Sequence, residues 1–343
     1  MINPASAGGR LRAYLEFLAA ILYFIFARSL ALHGARGLVS SALSPLVEQA
    51  MLAFLLLMGY GAIGFWIDRQ VHPINEQGLP RRPGWTHEAG MGLATGWAVA
   101  LVCVLSLTMF GGIAISISAR ASSWGWFAAD AAFFALTALA EEIAFRGYAF
   151  QRLAQAGGSL GAALGFAAIC AILQSLVPGA NRASIAVSIA LTLVLSACYV
   201  RTRALWMSWG LNFGWKASRA LLFGLAVNGV NSHSRVVLGD PMGSLSLSGG
   251  AFGLDGSWLA FFVLLAALPV VFRVTRDLNY RYNAPIVVPG GIPVDLDAIA
   301  HAQHDAAMEP PRSSASLVQI AQAAQAPATT STAEEPPAPP SAS

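Results

Sequence analysis

Two adjacent carboxylates and a guanidinium lie within one strongly apolar stretch, ALAEEIAFRG, at residues 138–147. Glu142 and Arg146 are four residues apart, so on a helix they share a face and can form an ion pair. Glu141 is rotated by about 100° from Glu142 and needs a different partner. Because an ionised side chain at the bilayer centre costs about 2.5–3.5 kcal/mol on insertion scales, all three should face the protein interior. The pattern indicates a functional cavity; the alternative is a buried pair that only fixes helix packing.

Two further apolar stretches carry polar side chains at the same four-residue spacing. Cys170 and Gln174 form one pair, and Asn212 and Lys216 form the other. Lys216 is the only lysine of the chain, and its most favourable intramembrane partner is one of the two glutamates. Gln174 and Asn212 could instead make hydrogen bonds that only support helix packing, and Lys216 could extend to the lipid headgroups.

The composition predicts that helices of a membrane protein position these side chains. The chain is 56% apolar and only 11% charged, well below the roughly 25% charge of a soluble domain. Continuous apolar runs, each long enough to cross a bilayer of about 30 Å, predict an all-α polytopic membrane helix bundle without strands. We expect about eight transmembrane helices, near residues 13–35, 46–66, 91–116, 127–149, 159–177, 183–200, 204–226 and 256–273.

The basic residues predict the orientation of the bundle in a cell membrane. With the N-terminus in the cytoplasm, eleven arginines lie near cytoplasmic span ends and four lie on the opposite side. Both termini and the loop at 67–90 should therefore be cytoplasmic. This topology accounts for the net charge of +3, so the lipid bilayer is the expected partner and a nucleic acid is not. The first span is longer than a signal-peptide core and is interpreted as a retained anchor.

Several motifs of the chain resemble those of a known family. The EExxxR pattern resembles the first signature of the CPBP intramembrane protease family, which includes the CaaX prenyl endopeptidases and the bacteriocin self-immunity proteins. The text "RTRALWMSWGLNFGW", "PGAN" and "LSGGAFGLDGSWLA" is also similar to that family. The resemblance implies an eight-helix protease with a cavity open to the cytoplasm, in which a glutamate activates water. It also implies histidines that hold a divalent metal or polarise the scissile carbonyl group.

The resemblance divides the chain into three parts. Residues 1–124 are N-terminal transmembrane helices with the 67–90 loop, and residues 125–275 are the protease-like core. Residues 276–343 are rich in Pro, Ala, Ser and Thr and are expected to be a disordered cytoplasmic tail.

The chain departs from the family pattern at the histidines. Matched residue by residue, the retained motif is Glu141, Glu142 and Arg146. Where the family has Phe-x-x-x-His, this chain has Cys170 to Gln174, and where it has His-x-x-x-Asn or Asp, this chain has Asn212 to Lys216. We hypothesise that Lys216 pairs with Glu141 while Glu142 pairs with Arg146. Such a site has no ligand set for a metal, so no cofactor is expected.

Three functions are compatible with these features. The first is a catalytically silent protein that binds a membrane peptide, a lipid or a partner protein in the inherited cavity. The second is an active intramembrane endopeptidase, for which zinc or another divalent metal would be required. The third is a small-solute transporter, although the paired Gly or Pro interruptions typical of discontinuous transporter helices are not evident.

Reporter fusions test the predicted topology. A reporter in the 67–90 loop or after residue 290 should be active only on the cytoplasmic side, because the arginines concentrate there. With the 67–90 reporter cytoplasmic, activity of the residue-290 fusion only on the outer face would contradict the count of eight spans.

Overall fold

The computed structural model describes residues 7–109, 112–118 and 120–278, and most of them are helical. The predicted tail therefore lies almost wholly outside the described residues. The α-helices are α1 Ala7–Leu38, α2 Ser44–Trp66, α3 Pro73–Glu76, α4 Trp85–Met109, α5 Ala121–Arg146, α6 Tyr148–Ser175, α7 Arg182–Thr202, α8 Trp206–Ala217, α9 Leu245–Ser248 and α10 Trp258–Val274. A π-helical turn, Ser218–Leu222, continues α8, and short 3₁₀ turns at Gly250–Phe252 and Leu254–Gly256 precede α10.

Five helical stretches of the described residues are long and apolar enough to cross a membrane. They are Gly8–Leu38, Ser44–Trp66, Trp85–Met109, Ala121–Ser175 and Arg182–Thr202, and the fourth, of 55 residues, comprises α5 and α6. The predicted count of eight is not confirmed. The seventh predicted span, 204–226, is shorter in the structure, because α8 has 12 residues before its π-helical turn, whereas α10 matches the eighth predicted span, 256–273, within two residues.

A small antiparallel sheet corrects the expectation that strands would be absent. Strand β1, Ile113–Ile117, pairs with β2, Val237–Pro241, so that Ile113 lies opposite Pro241. The third span was predicted to reach residue 116, but α4 ends at Met109. The alternation in IAISI suits a strand, yet its partner lies more than a hundred residues away in the sequence, so no local pattern identified the pairing.

The bundle has two distinct ends. At one end, which we call the α3 end, the α2–α4 connection contacts the beginnings of α6 and α8: Gln151 Nε2 donates to the Glu76 carbonyl (2.6 Å), and Leu205 N donates to the Gly78 carbonyl (2.6 Å). At the other end, which we call the sheet end, β1 and β2 pair and the segment between α8 and α10 folds back. α6 is interrupted at Gly158, whose backbone is not helical (φ 80°, ψ 163°).

The predicted loop at 67–90 is shorter than expected, since α4 begins at Trp85. Glu88 lies in the first turn of α4 and is buried, and both its oxygens accept from Arg82, at 3.0 and 2.8 Å. A carboxylate near the beginning of a helix is favoured by the helix dipole. This ion pair holds the beginning of α4 inside the α3 end.

Glycines on both helices bring α4 and α8 into close contact. A Cβ atom added at Gly92 would lie 2.1 Å from the Met207 carbonyl oxygen, and one at Gly96 would lie 2.2 Å from the Leu211 oxygen. On α8, a Cβ added at Gly210 would lie 2.1 Å from the Ala89 carbonyl oxygen of α4. Each helix thus contributes a small-xxx-small face, the arrangement by which membrane helices approach backbone to backbone. The contact fixes the position of α8, on which Asn212 and Lys216 lie.

Substitution of Gly92 tests this contact. Gly92→Ala should lower the free energy of unfolding by about 1–3 kcal/mol, because the two backbones must move apart. Gly90→Ala is the matched control: it lies on the same helix with nothing within 4 Å of the added Cβ, and should be neutral or stabilising by up to about 1 kcal/mol. Unfolding in mixed detergent micelles, followed by circular dichroism, measures both variants. Equal destabilisation would contradict the close contact.

Candidate functional site

The two glutamates lie in the last turns of α5, directly before a sharp junction. α5 ends at Arg146, where the Gly147 N–H donates to the carbonyls of Glu142 (3.1 Å) and Ile143 (3.2 Å). A Cβ at Gly147 would lie 2.4 Å from the Ile143 oxygen, so only glycine fits there without displacement. α6 begins one residue later, and Glu142 and Arg146 are buried among the helices.

The ion pair expected between Glu142 and Arg146 is present. Arg146 Nη1 donates to Glu142 Oε1 (3.2 Å), and Arg146 Nη2 donates to the Thr192 carbonyl oxygen on α7 (3.3 Å). Both side chains are fully buried, and Glu142 is 0% exposed. The pair therefore also connects α5 to α7.

The ion pair expected between Lys216 and Glu141 is also present. Lys216 Nζ contacts both carboxylate oxygens of Glu141. The lysine side chain is only 9% exposed and is directed into the bundle, whereas the Glu141 side chain is 34% exposed and faces a cavity. Lys216 therefore does not extend to the headgroup region. Two carboxylates and two cations leave the cluster with no net charge.

Asn212 joins the two glutamates. Its Nδ2 donates to Glu141 Oε2 (2.9 Å) and to Glu142 Oε1 (3.1 Å), and the residue is 1% exposed. Asn212 and Lys216 lie one turn apart on the face of α8 opposite its glycines, so the contact with α4 presents both side chains to α5. The Asn212 amide therefore donates hydrogen bonds to both carboxylates and does not only support helix packing.

Gln174 and Cys170, by contrast, do not reach the glutamates. Gln174 Nε2 donates to Asn228 Oδ1 (3.2 Å), and the Cys170 carbonyl accepts a hydrogen bond from Ser188 Oγ (3.3 Å). Both residues line the same cavity as Glu141. Gln174, which stands where the family has a histidine, therefore lies on the cavity wall and contacts the loop after α8.

Three residues of this network were not predicted from the sequence. Asn228 has a left-handed backbone, with φ of 49°, and its N–H donates to Asp255 Oδ2 (2.9 Å). Asp255 Oδ1 is 2.7 Å from Arg219 Nη1, and the Arg219 guanidinium lies 4.0 Å from the centre of the Trp215 ring. The Asn-Gly pair at 228–229 is a turn signal, but nothing in the local sequence indicates that this turn contacts α6.

The cavity has a volume of about 800 Å³ and lies toward the sheet end. Its walls come from the second half of α1, the first turns of α2, the last turns of α5 and α6, the first two thirds of α7, the α8 residues Asn212 and Lys216, and the Asn228 and Asp255 loops. The α3 end carries a cluster of ion pairs instead, in which Arg152 contacts Asp68 (2.7 Å) and Glu16 (3.2 Å).

The side chains around Glu141 do not fit a zinc ion. Zinc sites are built from imidazole, thiolate and carboxylate ligands, and the described residues contain no group of three His, Cys, Asp or Glu side chains that could hold a metal. An ammonium group already contacts Glu141, and a dication at the same oxygens would be repelled. We therefore derive no step of a reaction through a metal.

Comparison with known proteins agrees with the motif. A family model described as type II CAAX prenyl endopeptidase Rce1-like matches residues 123–218, the region from α5 to α8 that contains all seven motif positions. The resemblance to the CPBP family is thus confirmed over this region. No curated protein and no solved structure matches the chain significantly.

A double-mutant cycle tests the Glu141–Lys216 pair. Lys216→Met should cost about 3 kcal/mol of unfolding free energy, at the lower end of the range for a broken buried pair because Glu141 faces the cavity. Glu141→Gln combined with Lys216→Met should recover much of the loss, since a neutral pair replaces a lone charge. Unfolding of the wild type, both single variants and the double variant gives the coupling energy; additive losses would mean that the two side chains do not interact in the membrane.

Proposed function

We propose that this Rce1-like membrane protein is catalytically silent and that it binds a membrane peptide or lipid in the cavity beside Glu141. The observation that carries the proposal is the contact of Lys216 with both oxygens of Glu141. In an intramembrane protease of this kind, that carboxylate is the expected general base. Here an ammonium group covers it.

Catalysis by Glu141 would require free access of water to its oxygens. A general base must lie within hydrogen-bond reach of the proton that it abstracts. Lys216 contacts both oxygens, and Asn212 also donates to Oε2 (2.9 Å). The second glutamate is buried against Arg146 and does not line the cavity.

Polarisation of a scissile carbonyl also has no candidate group at this position. In the family, histidines hold a metal or stabilise the developing oxyanion, whereas here the corresponding side chains are Gln174 and Asn212. Gln174 is bonded to Asn228, and Asn212 is bonded to the two carboxylates. Both amides are thus engaged by other side chains, and we expect neither to stabilise an oxyanion.

The cavity itself suits an elongated amphiphilic ligand. Its volume of about 800 Å³ is at the upper end of the range for ligand pockets. Apolar side chains such as Leu52, Val187 and Leu191 form much of the wall, while Ser188, Gln174 and Asn228 supply hydrogen-bonding groups. A prenylated peptide has an apolar chain and backbone amides, and it is the ligand class named in the matching family, so it is the first ligand to test.

Binding and cleavage are therefore measured on the same peptide. The purified full-length protein should bind a fluorescent farnesylated C-terminal peptide, detected by anisotropy, and leave it intact by mass spectrometry. Ser188→Trp fills the cavity and should weaken binding by about tenfold or more, equivalent to at least about 1.4 kcal/mol. Ser175→Trp is the matched control, because Ser175 is exposed at the end of α6 and does not line the cavity; its binding should be unchanged.

Two results would contradict the proposal. Release of a C-terminal fragment by the wild type, abolished by Glu141→Gln, would restore the active endopeptidase. Equal binding by the wild type and Ser188→Trp would place the peptide elsewhere on the protein.

A further inference from the structure

A second, smaller cavity lies on the other side of the Glu141–Lys216 pair. Its volume is about 220 Å³, and its walls come from the first residues of α2, one face of α5 and the loop at 227–233. Thr137, Glu141, Lys216 and Asn228 line both cavities and separate them. Most of the remaining wall is apolar, including Leu43, Leu46, Phe133, Phe134, Val227 and Val230.

An oriented imidazole lies in the wall of this cavity. His233 Nδ1 is 3.2 Å from Asp130 Oδ1, and Asp130 Oδ2 accepts from the Ser234 N–H (2.7 Å). The ring stacks on Trp126, with centres 5.2 Å apart and planes at 24°. Asp130 is buried, while the His233 side chain is 46% exposed. Neither the matched motif nor the proposed function uses these residues.

The arrangement decides which ring nitrogen is available to a ligand. A carboxylate beside Nδ1 fixes the tautomer that carries its proton there, and the neutral ring then has its lone pair on Nε2. Trp126 holds the ring plane, and no described residue forms a hydrogen bond with Nε2. In that tautomer the cavity presents a hydrogen-bond acceptor whose position is fixed by Asp130 and Trp126.

We propose that the smaller cavity is a second binding site, for an uncharged single-chain amphiphile whose hydroxyl head donates a hydrogen bond to His233 Nε2. The site does not depend on which ligand occupies the larger cavity. Its chemistry follows from the charge, the shape and the unpartnered groups of its wall.

Charge selects the head group. With Asp130 directly behind it, the imidazole forms a pair that is negative when the ring is neutral and uncharged when the ring is protonated, so neither state offers a net positive charge to an anionic head. At the far end, Glu141 and Lys216 already neutralise each other and offer no free charge. A charged head of either sign would also lose its hydration in an apolar cavity, which is costly without a partner. A neutral hydroxyl group avoids both penalties.

The shape of the smaller cavity suits a ligand with a single narrow chain as its tail. Asp130 and Glu141 are eleven residues apart on α5, a helical rise of about 16 Å, and both line the cavity. A volume of about 220 Å³ over that length is below the range for drug-sized ligands and leaves room for one narrow chain. Thr137 Oγ1, between the two ends, is buried without a hydrogen-bond partner among the described residues and can meet a second polar atom of the chain.

Chemical protection of His233 tests the proposal. Diethyl pyrocarbonate acylates a neutral imidazole at Nε2, and peptide mass spectrometry gives the rate at each histidine of the full-length protein in nanodiscs at mildly alkaline pH. With n-decanol at about ten times its Kd, acylation of His233 should slow about tenfold. Decanoate and n-decane, of the same chain length, should protect much less. His33 lines neither cavity and is the internal reference for general effects of the probes.

Matched variants locate the protected site. Ala129 lines the smaller cavity, so Ala129→Phe should abolish protection by n-decanol while His233 still reacts at its unprotected rate. Ala128 is exposed and does not line the cavity, so Ala128→Phe should retain the protection.

Several outcomes would overturn the proposal. They are the absence of protection by n-decanol in the wild type, equal protection by decanoate or n-decane, and protection that persists in Ala129→Phe. The comparison of the three probes uses the wild type alone, so it decides the question even if a variant fails to fold.

Discussion

The structure depends on the neutralisation of charge inside an apolar helix bundle. Glu142 is fully buried and Glu141 faces a cavity between the helices, and each meets a cation, because an uncompensated buried carboxylate would cost several kcal/mol. Arg146 supplies one cation from α5 itself, one turn further on. Lys216 supplies the other from α8. The second pair requires that the face of α8 that carries Lys216 lies against α5. The helices packed around α8 must therefore hold it in that orientation.

The glycines of α4 and α8 meet that requirement from the opposite side. Gly210 and Gly214 alternate with Asn212 and Lys216 along α8, so one face of the helix carries glycines and the opposite face carries polar side chains. The glycine face lies against the α4 backbone, where any added Cβ would clash. Steric fit on one face and charge pairing on the other together leave α8 one orientation. The site is therefore a consequence of packing as well as of chemistry.

The Glu141–Lys216 pair separates the two cavities. On one side lies the larger cavity, where Gln174 holds Asn228 and, through it, the Asp255 loop. On the other side lies the smaller cavity with its oriented His233. The Glu141 carboxylate thus forms part of the wall between the two cavities.

Sequence alone determined the helical, membrane type of the protein and the pairing of Glu142 with Arg146, because both follow from local composition and four-residue spacing. It also indicated that the single lysine needs a glutamate, since charge must be balanced wherever the helices pack. Only the tertiary structure decided that Gln174 turns away from the glutamates, that Asp130 orients His233, and that two strands more than a hundred residues apart pair. These contacts join segments distant in the chain, and their partners are selected by the geometry of packed helices, which no local pattern of residues encodes.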